Sequence, residues 1–211
     1  MDRTLAIFGI TGRTGRALAI AGERRGWQIR GLARPGSPAP SGPRNLHLVR
    51  GTLADVQRVL ETVIGAQAVC CAVGPRPPHT EVFCAAAATA IIEAMRQSEC
   101  RRLICLTGAM IGGGSNRSWV FDRLARAYAR RHPEAARDRV EQERLVEESG
   151  LEWTIVKPPR LTDGRAAGAV SAGPTLTVGL MSKISRADLA EFVMDELETP
   201  RFLRMRVFVK A

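Results

Sequence analysis

Leu5-Ala-Ile-Phe-Gly-Ile-Thr-Gly-Arg-Thr-Gly15 decides how this chain is read. A short apolar run ends at Gly9, and glycines recur at 12 and 15 in the spacing G-x-x-G-x-x-G. From Arg13 to Arg25 the pattern turns helical, with Ala17, Leu18 and Ala21 on one side. The stretch is therefore a strand feeding a helix through a glycine turn, the context that gives such a motif its meaning. The first glycine permits the tight turn, the second lets the backbone approach a pyrophosphate, and the third allows close helix–strand packing. The helix start offers free N–H groups and the positive end of its dipole to phosphate oxygens. Gly9, Thr11, Gly12, Arg13, Thr14 and Gly15 are accordingly expected to cradle dinucleotide phosphates, with the two threonine hydroxyls adding hydrogen bonds.

Outward from this turn the alternation continues. Strands are expected at Trp27–Ala33, Leu46–Val49, Ala66–Val73, Arg102–Leu106, Trp153–Val156 and Arg204–Val209. Helices are expected at Val56–Val63, Glu81–Ser98, Trp119–Gly150 (broken near His132-Pro133) and Ala187–Leu197. The fourth strand is almost continuously apolar, as in a strand covered on both faces. Strand–helix alternation at this spacing predicts right-handed crossovers and an α/β, Rossmann-type doubly wound, mainly parallel sheet in one domain over residues 1–211. Residues 158–183, rich in Gly, Thr, Ala and Pro, are expected to loop over the carboxyl ends of the strands. There, with the rest of a small C-terminal portion (158–211), they would cover the substrate.

In such folds an acid about 20 residues beyond the turn, at the end of the second strand, holds the 2′-hydroxyl of NAD. Here that segment is Leu32-Ala-Arg34-Pro35, and the next acid is Asp55. A guanidinium at Arg34 suits the 2′-phosphate of NADP as a forked charged donor. The cofactor expectation is thus NADP(H), with Arg13 assisting.

Composition narrows the remaining classes. The formal charge is +10, but only three of the 31 basic residues are lysines, the arginines are scattered, and one Tyr and three Trp offer little base stacking. A nucleic-acid partner is disfavoured. Five cysteines without C-x-x-C and three scattered histidines give no disulfide framework or metal site. No apolar run is long enough to span a bilayer, and the start shows no signal-peptide pattern. A cytoplasmic location without membrane attachment is expected.

Read together, these segments resemble the atypical short-chain dehydrogenase group of NAD(P)H-binding, NmrA-like proteins. Within it they are most similar to the biliverdin-IXβ reductase/flavin reductase family. The carriers are Ile7–Gly15, Val69-Cys-Cys-Ala-Val-Gly74, Leu103-Ile-Cys-Leu-Thr-Gly108, Glu148-Ser-Gly-Leu-Glu-Trp-Thr-Ile-Val-Lys-Pro-Pro159 and Ile184-Ser-Arg-Ala-Asp-Leu-Ala190. The resemblance implies that Thr52 and Leu53 lie by the adenine, although position 52 is usually Asp. It further implies that Val73 and Gly74 pass the ribose, that Leu106 and Thr107 end a strand near the nicotinamide, and that Pro159, Arg160 and Leu161 border the nicotinamide and substrate. Arg139 stands where relatives carry a Lys or His that reaches the cofactor.

The departures are as informative. Ordinary short-chain dehydrogenases place Tyr one turn before Lys, whose charge lowers the phenol pKa. Here the only tyrosine, Tyr128, is followed four positions later by His132, and Ala135 precedes Arg139 at that spacing. Gly108 replaces the serine that usually follows the strand-five threonine. Reducing a flavin or conjugated tetrapyrrole mainly needs hydride positioning, which can contribute ~7–11 kcal/mol, and the proton can come from water. The expectation is an NADPH-dependent reductase of planar acceptors such as FMN, FAD, biliverdin or a quinone, working as a monomer or weak homo-oligomer. Thr107 and Arg139 would orient or polarise the acceptor. A non-catalytic NADP(H)-sensing regulator is the alternative; an extended-type isomerase or epimerase is disfavoured. Ile111–Arg117 reads as a glycine-rich flap. Glu141, Glu143, Glu147 and Glu148 with Arg137, Arg139 and Arg144 read as a solvated helix face.

Overall fold

The apolar run at Leu5–Phe8 alternates between two cores, and this places it at the centre of the molecule. In the computed structural model, which describes residues 3–75, 81–112 and 117–211, Leu5 and Ile7 pack into one core while Ala6 and Phe8 pack into the other. The strands are β1 (Arg3–Phe8), β2 (Trp27–Ala33), β3 (Leu46–Arg50), β4 (Ala68–Cys71), β5 (Arg102–Leu106), β6 (Glu152–Lys157), β7 (Arg160–Thr162), β8 (Ser171–Gly173), β9 (Lys183–Ser185) and β10 (Met205–Lys210). The helices are α1 (Arg13–Arg24), α2 (Val56–Val63), α3 (Cys84–Gln97), α4 (Trp119–Arg131), α5 (Pro133–Glu147) and α6 (Arg186–Glu198).

Among the described residues the main sheet runs β3-β2-β1-β4-β5-β6-β10-β8, parallel throughout except for β8 against β10. This is the doubly wound order, and its direction reverses between β1 and β4. Helices α1 and α6 pack together over one face, and α2, α3 and α5 over the other. The first core contains Leu18, Ile29, Phe192 and Val193, the second Val59, Ile91, Met95 and Val146. Burial on both faces explains why the inner strands read as unbroken apolar runs.

The expected elements appear with small shifts. Helix α3 begins at Cys84 rather than Glu81. Its first N–H groups are satisfied from another helix: Asp138 on α5 accepts from Phe83 (3.1 Å), Cys84 (2.8 Å) and Ala85 (2.9 Å). An end capped from 53 or more positions away leaves no local capping signal. The 158–183 segment is not only loop. It contains β7 and β8 and runs into β9; β7 pairs with β9, and β8 extends the main sheet. No described helix is long and apolar enough to cross a membrane.

Candidate functional site at the strand ends

Gly9 has a φ of +86°, and a Cβ there would stand 2.6 Å from the carbonyl oxygen of Ala72. Only glycine fits this point, where the ends of β1 and β4 converge. A Cβ at Gly15 would lie 2.2 Å from the Gly9 oxygen, so α1 rests directly on the turn. The Gly12 N–H donates to the Gly9 carbonyl at 2.9 Å, and Gly12 precedes the first residue of α1 without a capping side chain. No acid lies in the first turn of α1. The free N–H groups and dipole there suit an anion.

The turn opens into a cavity of about 360 Å³ lined by Gly9, Thr11, Gly12, Arg34, Thr52, Leu53, Val73 and Gly74, together with Phe8, Leu32, Gly51, Ala72, Glu81 and Phe83. Arg34 stands exposed just past the end of β2. The cavity thus runs from the glycine turn to a guanidinium, a shape and charge that fit the phosphates and adenosine of a dinucleotide. A second hollow, of about 390 Å³ among Arg30, His47, Gln57, Leu60, Glu61 and Ile64, has no glycine turn in its lining and is formed by β2, β3, α2 and the residue after α2.

The other sequence-expected residues are distributed as follows. Gly15 is buried beneath the turn and Thr14 is half-buried at the start of α1. Arg13 is not among the residues lining the cavity and pairs at 2.7 Å with Asp163, which also pairs with Arg186. Leu106 is buried in the core under α1 and α6 and does not line the cavity. Pro159, Arg160 and Leu161 follow β6 at the strand ends. Leu161 packs on that same core, and Arg160 and Leu161 lie in the β7–β9 pair. Residues 113–116 of the expected flap lie outside the described residues. Arg117 is anchored to the Met110 carbonyl (3.1 Å) and to Asp122 (3.3 Å).

Helix α5 corrects the expectation of a solvated face. Arg144 and Glu148 are exposed and Glu141 is half-buried, and Arg144 pairs with both glutamates. Arg139 and Glu143, however, turn inward and are 6% and 1% exposed. They are on the sheet-facing side because α5 lies over β4, β5 and β6, and charge alone gives no warning of it. The Arg139 guanidinium donates to the Val73 carbonyl at 3.2 Å and to the Cys84 sulfur at 3.4 Å. Burial pushes the Cys84 thiol up to about 11, so it is a neutral partner. No carboxylate among the described residues pairs with Arg139. A Cβ on Gly74 would meet the guanidinium at 3.5 Å, placing this cation beside the cavity wall.

Glu143 occupies the neighbouring position. Its Oε1 accepts from the Thr107 hydroxyl at 2.6 Å and from the Lys157 ammonium. Lys157 ends β6, follows the apolar run Trp153–Val156, and is 1% exposed. Burial lowers its pKa from the usual lysine value, and Glu143 opposes that shift. Glu143 Oε2 is buried without a hydrogen-bond partner among the described residues; Arg206 NH1 is 3.6 Å away. Thr107 is itself held by its N–H to the Val156 carbonyl at 3.0 Å. Sequence reasoning singled out Thr107 but not the buried partners it has here, Glu143 and Lys157. The one available signal was a lysine directly following an apolar strand run, which demands a partner if it is buried.

Residues 9–200 match the family model described as NAD(P)H-binding. The chain belongs to that family. Its fold also matches a short-chain dehydrogenase/reductase (wide type) from Veillonella parvula solved in complex with NADP, at TM-score 0.76 and 18% identity over 100% of this chain and 95% of that one. ChuY, an anaerobillin reductase from Escherichia coli O157:H7, matches at TM-score 0.79 and 18% identity over 98% of this chain and 96% of that one. A putative NAD-dependent epimerase/dehydratase from Bacillus halodurans matches at TM-score 0.80 and 18% identity over 100% and 94%. At this identity the three share the fold. The NAD(P)H-binding family and the doubly wound α/β architecture agree with the sequence reading.

Proposed function

We propose that the protein is an NADPH-dependent reductase that passes hydride to a planar conjugated acceptor such as a flavin, a quinone or a biliverdin-like tetrapyrrole. The observation that carries this reading is the cavity joining the glycine turn to Arg34, with Thr107 and Arg139 grouped at the neighbouring strand ends. In this reading Gly9, Thr11, Gly12, Thr14 and Gly15 hold the pyrophosphate and Arg34 the 2′-phosphate. Thr52 and Leu53 flank the adenine, and Val73 and Gly74 the ribose. Leu106, Pro159, Arg160 and Leu161 frame the nicotinamide end. Arg13 joins the phosphates by exchanging Asp163 for them. Bound NADPH supplies the hydride.

The chain's own groups then orient and polarise. Arg139 sets a buried positive charge near the β4 end, where it favours negative charge developing on the acceptor. Thr107 presents its oxygen and hydroxyl at the β5 end. The likeness to ChuY, named a reductase, supports the class of reaction, and the missing Tyr-x-x-x-Lys disfavours alcohol and ketone chemistry. The test is NADPH oxidation followed by absorbance with FMN, menadione and biliverdin. Turnover with at least one acceptor is expected. Tight NADPH binding without turnover would overturn the reductase reading in favour of a regulator that senses NADP(H).

A further inference from the structure

Resting on the reductase reading, we infer that the buried Glu143–Lys157 pair delivers a proton to the acceptor through the Thr107 hydroxyl. Three observations converge. The Thr107 hydroxyl and the Lys157 ammonium share one oxygen, Glu143 Oε1, so hydroxyl, carboxylate and ammonium form a continuous hydrogen-bonded chain. The two charged groups are each 1% exposed, while Thr107 at the end of β5 is only half-buried and is the member able to meet a bound molecule. Glu143 Oε2 has no hydrogen-bond partner among the described residues and meets the Arg206 guanidinium only as an ion pair at 3.6 Å, so the carboxylate keeps acceptor capacity for a proton.

Low polarity also narrows the gap between the charged pair and its neutral form, in which the proton sits on the carboxyl group and the lysine is an amine. The lowered pKa of Lys157, caused first by burial, agrees with this. The groups facing the pair are Thr107 and Cys105 from β5, Arg139 from α5 and Arg206 from β10. Arg206 is 40% exposed at its side chain and is 3.6 Å from Glu143 Oε2.

The step balances as follows for a quinone. With hydride supplied by bound NADPH, the quinone needs one proton to become the hydroquinone. The Thr107 O–H bond breaks and its proton goes to the quinone oxygen. Thr107 Oγ1 takes a proton from the Glu143 carboxyl group, which has drawn it from the Lys157 ammonium. Lys157 is left as an amine and regains its proton from water. Thr107 is thereby a catalytic residue, and Glu143 and Lys157 act through it as positioning and supply residues.

The experiment measures kcat, KM, NADPH affinity and solvent isotope effect against pH with menadione. It compares wild type, Thr107→Val, Thr107→Ser and the paired change Glu143→Gln with Lys157→Met, which removes both charges of the pair together, so that neither is left buried without the other. Thr107→Val and the paired change are expected to lower kcat about a hundredfold, the usual scale of a general acid, with NADPH affinity unchanged. Thr107→Ser restores most of it. Wild-type kcat falls as pH rises through the lowered Lys157 value, and the paired variant loses that limb and its isotope effect. Wild-type turnover with kcat and pH profile unaltered in the paired variant overturns the relay and leaves the reductase reading standing. No wild-type turnover with any of the three acceptors, despite bound NADPH, overturns both.

Discussion

Two buried ion pairs sit at opposite ends of the main sheet, and their carboxylates differ in how completely they are hydrogen-bonded; in the first pair the unbonded atom is Arg102 Nε, on the cation. At the amino end, Arg102 on β5 meets Glu196 on α6 at 3.1 Å. Both oxygens of Glu196 are occupied: Oε1 also accepts from the Phe202 N–H (2.9 Å) and Oε2 from the Arg201 N–H (3.0 Å). At the carboxyl end, Glu143 gives one oxygen to both Lys157 and Thr107 and leaves the other without a hydrogen bond. The first carboxylate ties α6, β5 and the 201–202 turn together. The second is under-satisfied at the end of the sheet where doubly wound folds bind ligands. Buried polar groups left partly satisfied are the exception in folded proteins and call for a reason.

The contrast can be broken in several ways. Glu196→Gln should have the largest effect on stability. It leaves the Arg102 guanidinium buried without its counter-charge, a loss of about 3–5 kcal/mol, readable as a lowered denaturation midpoint. NADPH affinity of the folded fraction should not change. A midpoint equal to wild type would show that the amino-end pair is not structural. The paired change Glu143→Gln with Lys157→Met should behave oppositely. Removing both charges at once typically costs little and can stabilise by about 1–4 kcal/mol, so the midpoint should hold or rise while turnover falls.

Proton linkage sharpens the same comparison. The Lys157 pKa is lowered from 10.5 in the folded protein, first by burial. Between the lowered value and 10.5 the unfolded chain binds the proton and the folded chain does not. Stability therefore rises with pH in that window, and below it this group contributes no slope. Denaturant titrations across the window should show the rise in wild type and lose it in the paired variant. An identical rise in both would assign it to other groups.

Much of the fold was legible because it rests on local and periodic signals. The glycine turn, the apolar strands and the helix spans of α1 and α2 follow from short stretches, and Gly9, Thr11, Gly12, Arg34, Thr52, Leu53, Val73 and Gly74 line one cavity. What escaped depends on distant partners. Asp138 caps α3 from α5, and Glu143 finds Lys157 only because α5 crosses β6. A helix rich in Glu and Arg reads as solvated when its charges are judged by composition. Which of them turn inward is decided by tertiary packing. Arg13 illustrates the same limit, since its partner Asp163 is 150 positions away.

The most direct test of the central claim is a fluorescence titration of wild type and Arg34→Ala with NADPH and NADH. A charged hydrogen-bonded contact to the 2′-phosphate is worth about 1.5–3 kcal/mol. NADPH should bind wild type at least about tenfold more tightly than NADH. Arg34→Ala should lose that preference with NADH affinity unchanged. Equal wild-type affinities for the two nucleotides would contradict the assignment of Arg34 to the 2′-phosphate, and with it the account of the cavity.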